Sequence, residues 1–215
     1  MTEERNSLKE FFNYLRHHDL KMETVPLKEQ KDYQHPDDDF DFHAYRILLL
    51  IFICGILKPT FFDNFTIYGR GKFSFYDFLI RYPFYLEKAL RIKNKEDKIK
   101  DLEIKHYETE EAFSPMIRYI RGPWDHKYPD ILNYMVSKNL ITVHYSYFNK
   151  SQKAFCITLT DLGLETAQKI QTEEPIWTKR MEAINAIFRK DAQNQTIEMF
   201  VREHFSTLIL GNAGE

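Results

Sequence analysis

Side chains able to do chemistry are thinly spread along this chain, and the densest group is acidic: Asp37, Asp38, Asp39 and Asp41. A hard divalent cation asks for several carboxylate oxygens, but consecutive aspartates project in different directions, and the glycine and distal glutamate of a calcium loop are missing. The run is read as solvated charge. Glu103-Ile104-Lys105 has the glutamate, spacer and lysine of a metal-dependent nuclease signature, with Pro36-Asp37 or Pro129-Asp130 as its other part. That chemistry needs carboxylates at adjacent strand ends, sharing a metal that activates water. Here Glu103 closes a lysine-rich charge run and neither aspartate borders a convincing strand, so the match is assigned to chance. Gly69-Arg70-Gly71 is the only close glycine pair, and it lacks the lysine and the serine or threonine of a phosphate loop. No catalytic, cofactor-binding or metal-binding residue is assigned, and the chain is expected to be non-enzymatic and free of cofactors.

The remaining reactive residue types lead to the same expectation. Among eight histidines, His17 and His18 are adjacent and diverge on a helix, while His126 and His144 have no partner at metal-ligand spacing. Cys54, in an apolar run, and Cys156, in an expected strand, form neither a disulfide framework nor a zinc pattern, which fits buried thiols in a reducing cytoplasm. The start MTEERNSLKEFF is charged and lacks the regions of a signal peptide, so export is not expected. The apolar run Ile47 to Leu57 covers about half of the roughly 20 residues a bilayer span requires, and Lys58-Pro59 ends it, so it reads as a buried core helix.

The elements that must position these residues follow from the periodicity. The most organised stretch is Met116 to Ile170. Ile131, Leu132, Met135, Val136 and Leu140 recur at helical spacing, and Asn139 offers a helix stop. From Thr142 to Phe148 the period drops to two, with Val143, Tyr145 and Tyr147 on one face. Asn149 to Lys153 makes a turn, and Phe155, Ile157 and Leu159 form a returning apolar face. Thr160 then caps a helix through Leu162, Leu164, Ala167 and Ile170. Helix, hairpin and helix in that order predict a winged-helix module. Upstream, Leu8, Phe11, Phe12 and Leu15 make a short amphipathic helix, and residues 17–42 form a polar arm. A core helix runs from about Ala44 to Leu57, and Ser74 is the expected cap of the next, which Pro83 restarts. The stretch Lys93 to Lys105 is dense in charge and reads as a solvated helix or loop. After Gln171, two further helices lie around Ile176 to Phe188 and Ile197 to Leu208. They are expected either to pack back or to supply a binding or dimerising surface.

The expected fold is therefore α+β and mainly helical. It divides into an N-terminal helix and arm (1–43), an N-terminal helical half (44–110), a winged-helix module (111–171) and C-terminal helices (172–215). With 30 basic and 32 acidic residues the chain is near neutral, which argues against a protein that coats nucleic acid by charge. Within Met116 to Gln171 the excess of positive residues is thin, and Asp130 and Asn133 share the helix face that would enter a groove. Lys150 and Lys153 are the candidates for backbone contact with DNA. Trp124, with its neighbours Asp125 and Tyr128, is the candidate partner interface, because Trp and Tyr are enriched in hot spots.

Several stretches resemble a known family. Arg118-Tyr119, Gly122-Pro123-Trp124-Asp125, Tyr128, Leu132, Asn139-Leu140-Ile141 and Leu159-Thr160-Asp161-Leu162-Gly163 are similar to the middle component of bacterial ABC-three-component systems, which includes the corresponding subunit of Lamassu-type anti-phage systems. Arg46 to Leu57, Tyr76-Asp77-Phe78-Leu79-Ile80-Arg81-Tyr82-Pro83 and Glu87-Lys88-Ala89-Leu90 carry the same resemblance, which covers about residues 44–171. It implies a non-enzymatic subunit working beside an SMC-like ATPase and an effector, often a nuclease, docked near the ATPase heads and helping couple sensing of foreign DNA to the effector. The alternative is a free-standing winged-helix transcription regulator dimerised through Trp177 to Leu210, with recognition helices about 34 Å apart.

Overall fold

Seven consecutive large apolar residues, Ile47 to Ile53, leave a helix no polar stripe to turn toward water, so it must be covered on all sides. In the computed structural model, which describes residues 13–14, 16–18, 38–109, 116–119, 122–147 and 153–208, that helix is α1, Phe40–Cys54. Asp39 caps it, its Oδ1 accepting from the backbone N–H of Asp41 at 2.9 Å and of Phe42 at 3.2 Å. The chain forms two units, residues 1–38 and Asp39–Glu215. In the first, residues 13, 14, 16 and 17 are helical, and the expected apolar positions Leu8, Phe11, Phe12 and Leu15 lie outside the described residues.

The second unit is α+β and mainly helical. After α1 come strand β1 (Thr66–Tyr68), helix α2 (Arg70–Arg81) and helix α3 (Pro83–Ile92), followed by two 3-10 segments, Glu96–Leu102 and His106–Glu108. A short pair β2 (Ile117–Tyr119) and β3 (Gly122–Trp124) precedes helix α4 (Tyr128–Ser137). Strands β4 (Ile141–Ser146) and β5 (Ala154–Leu159) lead to helices α5 (Asp161–Glu173), α6 (Pro175–Ile187) and α7 (Asn194–His204). β1, β5 and β4 form an antiparallel sheet in that order, with β5 central, and β2 pairs with β3. No helix among the described residues is long and apolar enough to cross a membrane.

One core runs through the second unit. It takes Ile47 to Ile51 of α1, Phe75 and Phe78 of α2, Ile131 and Met135 of α4, Ile157 and Leu159 of β5, Ala167 and Ile170 of α5, Ile184 of α6, and Phe200 and Val201 of α7. The expected division near residue 110 therefore divides the chain but not the core. β1, from the upstream half, pairs with β5 of the downstream half, Thr66 opposite Thr158, and their hydroxyls lie 2.8 Å apart.

Several boundaries differ from expectation for identifiable reasons. α2 begins at Arg70 and not at Ser74, which lies inside the helix with its hydroxyl on the Gly71 carbonyl. Asn194 of α7 supplies the cap, its Oδ1 accepting the Lys72 N–H at 2.8 Å, a partner 122 residues away. Gly69 sits before that turn at φ +93°, a conformation that favours glycine. Val136, placed on the buried face by periodicity, is 44 % exposed. Asn139 does stop α4, at φ +56°, and Thr160 does cap α5, accepting the Gly163 N–H at 3.0 Å. Apart from Met199, the apolar side chains of α6 and α7 turn toward the core, and Trp177 packs against Phe42 and Tyr45.

Gly163 is fixed by proximity. A methyl group at its α-carbon would lie 1.9 Å from the Leu140 carbonyl oxygen, which itself accepts the Thr160 N–H. Gly163→Ala must push α5 away from the α4–β4 junction, and the expected loss is about 1–3 kcal/mol of stability in urea denaturation; an unchanged midpoint would contradict this contact.

Candidate interaction surface

Charged residues inside apolar runs set the geometry around the candidate interface. Arg46 of α1 and Asp77 of α2 are both shut off from solvent, and their side chains form a two-pronged pair, Nε to Oδ1 at 2.7 Å and Nη2 to Oδ2 at 3.1 Å. Tyr128, at the first turn of α4, donates its hydroxyl to Asp77 Oδ2 at 2.8 Å. Burial raises the Asp77 carboxyl, but Arg46, Arg81 and the Tyr128 hydroxyl outweigh it and hold the group below the ordinary carboxylate value. The Tyr128 phenol is driven well upward, first by burial and then by the Asp77 charge.

A second pair extends the network to the turn after β3. Arg81, at the end of α2, donates Nη1 to Asp125 Oδ2 at 2.5 Å, and Asp125 Oδ1 accepts the Lys127 N–H at 2.9 Å. Burial raises the Asp125 carboxyl, and the Lys127 N–H and Arg81 bring it below its usual value. Trp124 meets Tyr128 edge to face at 4.9 Å, and the Arg70 guanidinium lies over its ring at 4.4 Å from the centroid.

Of the three residues expected to form a partner interface, then, Tyr128 has no exposed surface and Asp125 is buried; both are internal members of the α1–α2–α4 junction. Only Trp124 keeps partial exposure. The physical reason is that Asp77 requires hydrogen-bond donors and Arg81 requires a carboxylate. Lys153 is exposed, with its ammonium 5.7 Å from the Tyr147 ring centroid, and Lys150 lies outside the described residues. The outward face of α4 carries Asp130, Asn133 and Val136, all exposed. Val143, Tyr145 and Tyr147, read as one strand face, are exposed at 37 %, 62 % and 60 %.

The residues weighed for catalysis are engaged elsewhere. Glu103 pairs with Lys179 at 2.9 Å, Asp41 accepts the Tyr134 hydroxyl, and Asp39 is the α1 cap. Asp37 lies outside the described residues. Among the described residues no group of three or more His, Cys, Asp or Glu side chains is arranged to hold a metal ion. Cys54 and Cys156 are buried free thiols.

Sequence reading did not single out Lys72, which is also enclosed. Its ammonium donates to the carbonyls of Lys190 at 2.6 Å and Ala192 at 3.2 Å and lies 4.5 Å from the Tyr68 ring centroid. Tyr68 donates to the carbonyls of Asp191 at 2.6 Å and Ala192 at 3.1 Å, so the two side chains together hold the α6–α7 connection. Burial pulls the Lys72 amine down to about 8, against the opposite influence of Cys54 and Asp191.

No protein-family model matches the chain, and neither a curated protein nor a solved structure matches it.

Two predictions follow from these groups. Asp77→Asn strands Arg46 without a counter-charge and should cost about 3–5 kcal/mol, whereas Tyr128→Phe removes one bond to a charged acceptor and should cost about 1.5–3 kcal/mol; equal losses in chemical denaturation would contradict the hierarchy. For Lys72 the folded value, about 8, lies below the unfolded one of 10.5, so the unfolded chain binds more protons in that interval and stability rises with pH across it. Between about pH 7.5 and about pH 9.5 the wild type should gain about 2 kcal/mol that Lys72→Met does not gain; parallel stability profiles would refute the assignment.

Proposed function

We propose that this chain is a non-catalytic accessory and regulatory subunit of a cytoplasmic anti-phage or anti-plasmid defence complex, docking on an SMC-like ATPase and helping couple DNA sensing to an effector nuclease. The observation that carries the reading is the convergence of the residues on which the resemblance rests. Arg46 belongs to one such stretch, Asp77 and Arg81 to a second, and Asp125 and Tyr128 to a third, and the five are joined by direct bonds or by their shared contact with α2. A pattern spread over residues 44–171 whose polar members complete one another is a framework, and its parts must be kept together for any of them to be tolerated.

The winged-helix reading of residues 111–171, which hold α4, β4, β5 and α5, belongs to the same proposal. The sheet order β1-β5-β4 supports it, as does the placement of α4 directly before the hairpin. Fold alone is a weak warrant for function, and the surface chemistry favours protein docking, because exposed Val136, Tyr145 and Tyr147 stand beside only a thin set of cations. Lys150 and Lys153 are assigned backbone contact with DNA inside the complex. The free-standing regulator would dimerise through Trp177 to Leu210, but the described apolar side chains of α6 and α7 are largely spent on this chain's own core.

The test is affinity purification of the tagged full chain expressed with its neighbouring genes. A large coiled-coil ATPase should be recovered with it in comparable amount, and the isolated chain should not cleave DNA. Recovery of the chain solely as an operator-bound homodimer would overturn the proposal.

A further inference from the structure

We propose that the outer edge of β4 pairs antiparallel with β4 of a second copy of this chain, joining two three-stranded sheets into one of six strands. The argument begins with which backbone groups are already used. On β5 the Phe155 carbonyl accepts the Gly69 N–H and the Leu159 N–H donates to the Phe65 carbonyl, so its odd-numbered residues bond toward β1. Its even-numbered residues bond toward β4, as the Thr160 N–H to Leu140 carbonyl contact continues. The register places Thr142 opposite Thr158, His144 opposite Cys156 and Ser146 opposite Ala154, and these are therefore the hydrogen-bonded pairs of an antiparallel ladder. Ile141, Val143 and Tyr145 point their N–H and carbonyl groups away from β5, at the open edge of the sheet.

Within the strand itself that edge carries no protective charge, proline or bulge. Ile141–Ser146 contains no proline, lysine, arginine, aspartate or glutamate, and its six pairs with β5 run without a bulge. The opposite edge differs: outside β1, Ile56 and Thr66 exchange two backbone bonds of 2.9 Å.

The strand's own sequence specifies the occupant. A two-fold axis at His144 sets Val143 against Tyr145 of the second copy and Tyr145 against its Val143, both pairs made of residues with outward backbone groups, as antiparallel bonding requires. The same axis sets Thr142 against Ser146. β-branched against aromatic and hydroxyl against hydroxyl are pairs that stabilise neighbouring strands. Val143 and Tyr145, exposed at 37 % and 62 %, would be covered in the pairing; the axis sets His144 against His144 of the second copy, and the strand holds no Lys, Arg, Asp or Glu to oppose another. The pairing is independent of the reading proposed above and needs neither DNA nor an ATPase.

Sedimentation velocity of the full chain over roughly 1–100 μM should show a reversible monomer–dimer equilibrium, the range expected of a small interface. Val143→Pro removes an outward N–H that the monomer does not use, so it should abolish the dimer while circular dichroism and Tm stay near wild type. Tyr145→Lys sets a charge into the pairing and should do the same, and it reads the edge even if the proline variant fails to fold. Met199→Lys, an equally exposed apolar position on α7, should leave the dimer intact. A wild type that is monomeric at every concentration overturns the proposal, as does a dimer that survives Tyr145→Lys or dissociates only with Met199→Lys.

Discussion

Arg46 lies in a helix that has no solvent face, and that constraint organises the rest of the second unit. From His43 to Cys54 no residue of α1 is exposed, so a guanidinium there cannot reach water. An unpaired buried charge is among the most destabilising things a fold can contain. Asp77 answers it, and the two-pronged geometry fixes both the rotation of α2 about its axis and its height along α1. The spare lone pair on Asp77 takes the Tyr128 hydroxyl, which places the start of α4. Three helices far apart in sequence are thus set by one carboxylate.

Arg81 and Asp125 carry this outward, one helical turn further along α2, to the turn that presents Trp124. The turn that looks most like an interface in the sequence is therefore held from behind by the same polar chain that holds the core. Trp124 there is half-buried with Arg70 across its ring, and His126 beside it is exposed. Exposed apolar side chains lie elsewhere, at Val136 of α4 and at Val143 and Tyr145 of β4.

Much of the fold was legible because local signals and tertiary packing agree. Asn139 and Thr160 each act within their own segment, and the apolar spacing of α4, α5, α6 and α7 marks faces that are mostly buried. Disagreement arose where the deciding partner is remote. The start of α2 depends on Asn194, and β1 is only three residues long and exists because β5 lies beside it. Val136 and Leu162 fit the helical period yet stay exposed, since the period marks a face without saying how far a neighbour covers it. For the candidate site the same limit applied more strongly. Single charges inside apolar runs, Arg46, Lys72 and Asp77, were the available signal for buried pairing; aromatic content near Trp124 pointed toward a surface, but Tyr128 was needed inside.

The pairing of β1 with β5 bears on how the protein is made. Thr66 and Thr158 are 92 residues apart, and Asn194, which caps α2, follows later still. A ribosome releases the N-terminal half long before these partners emerge, and loop-closure entropy delays their meeting further. During that interval the apolar surface of α1 and α2 has no cover. A chain not yet complete therefore carries uncovered apolar helix surface, the kind of surface that makes partly folded chains prone to aggregate.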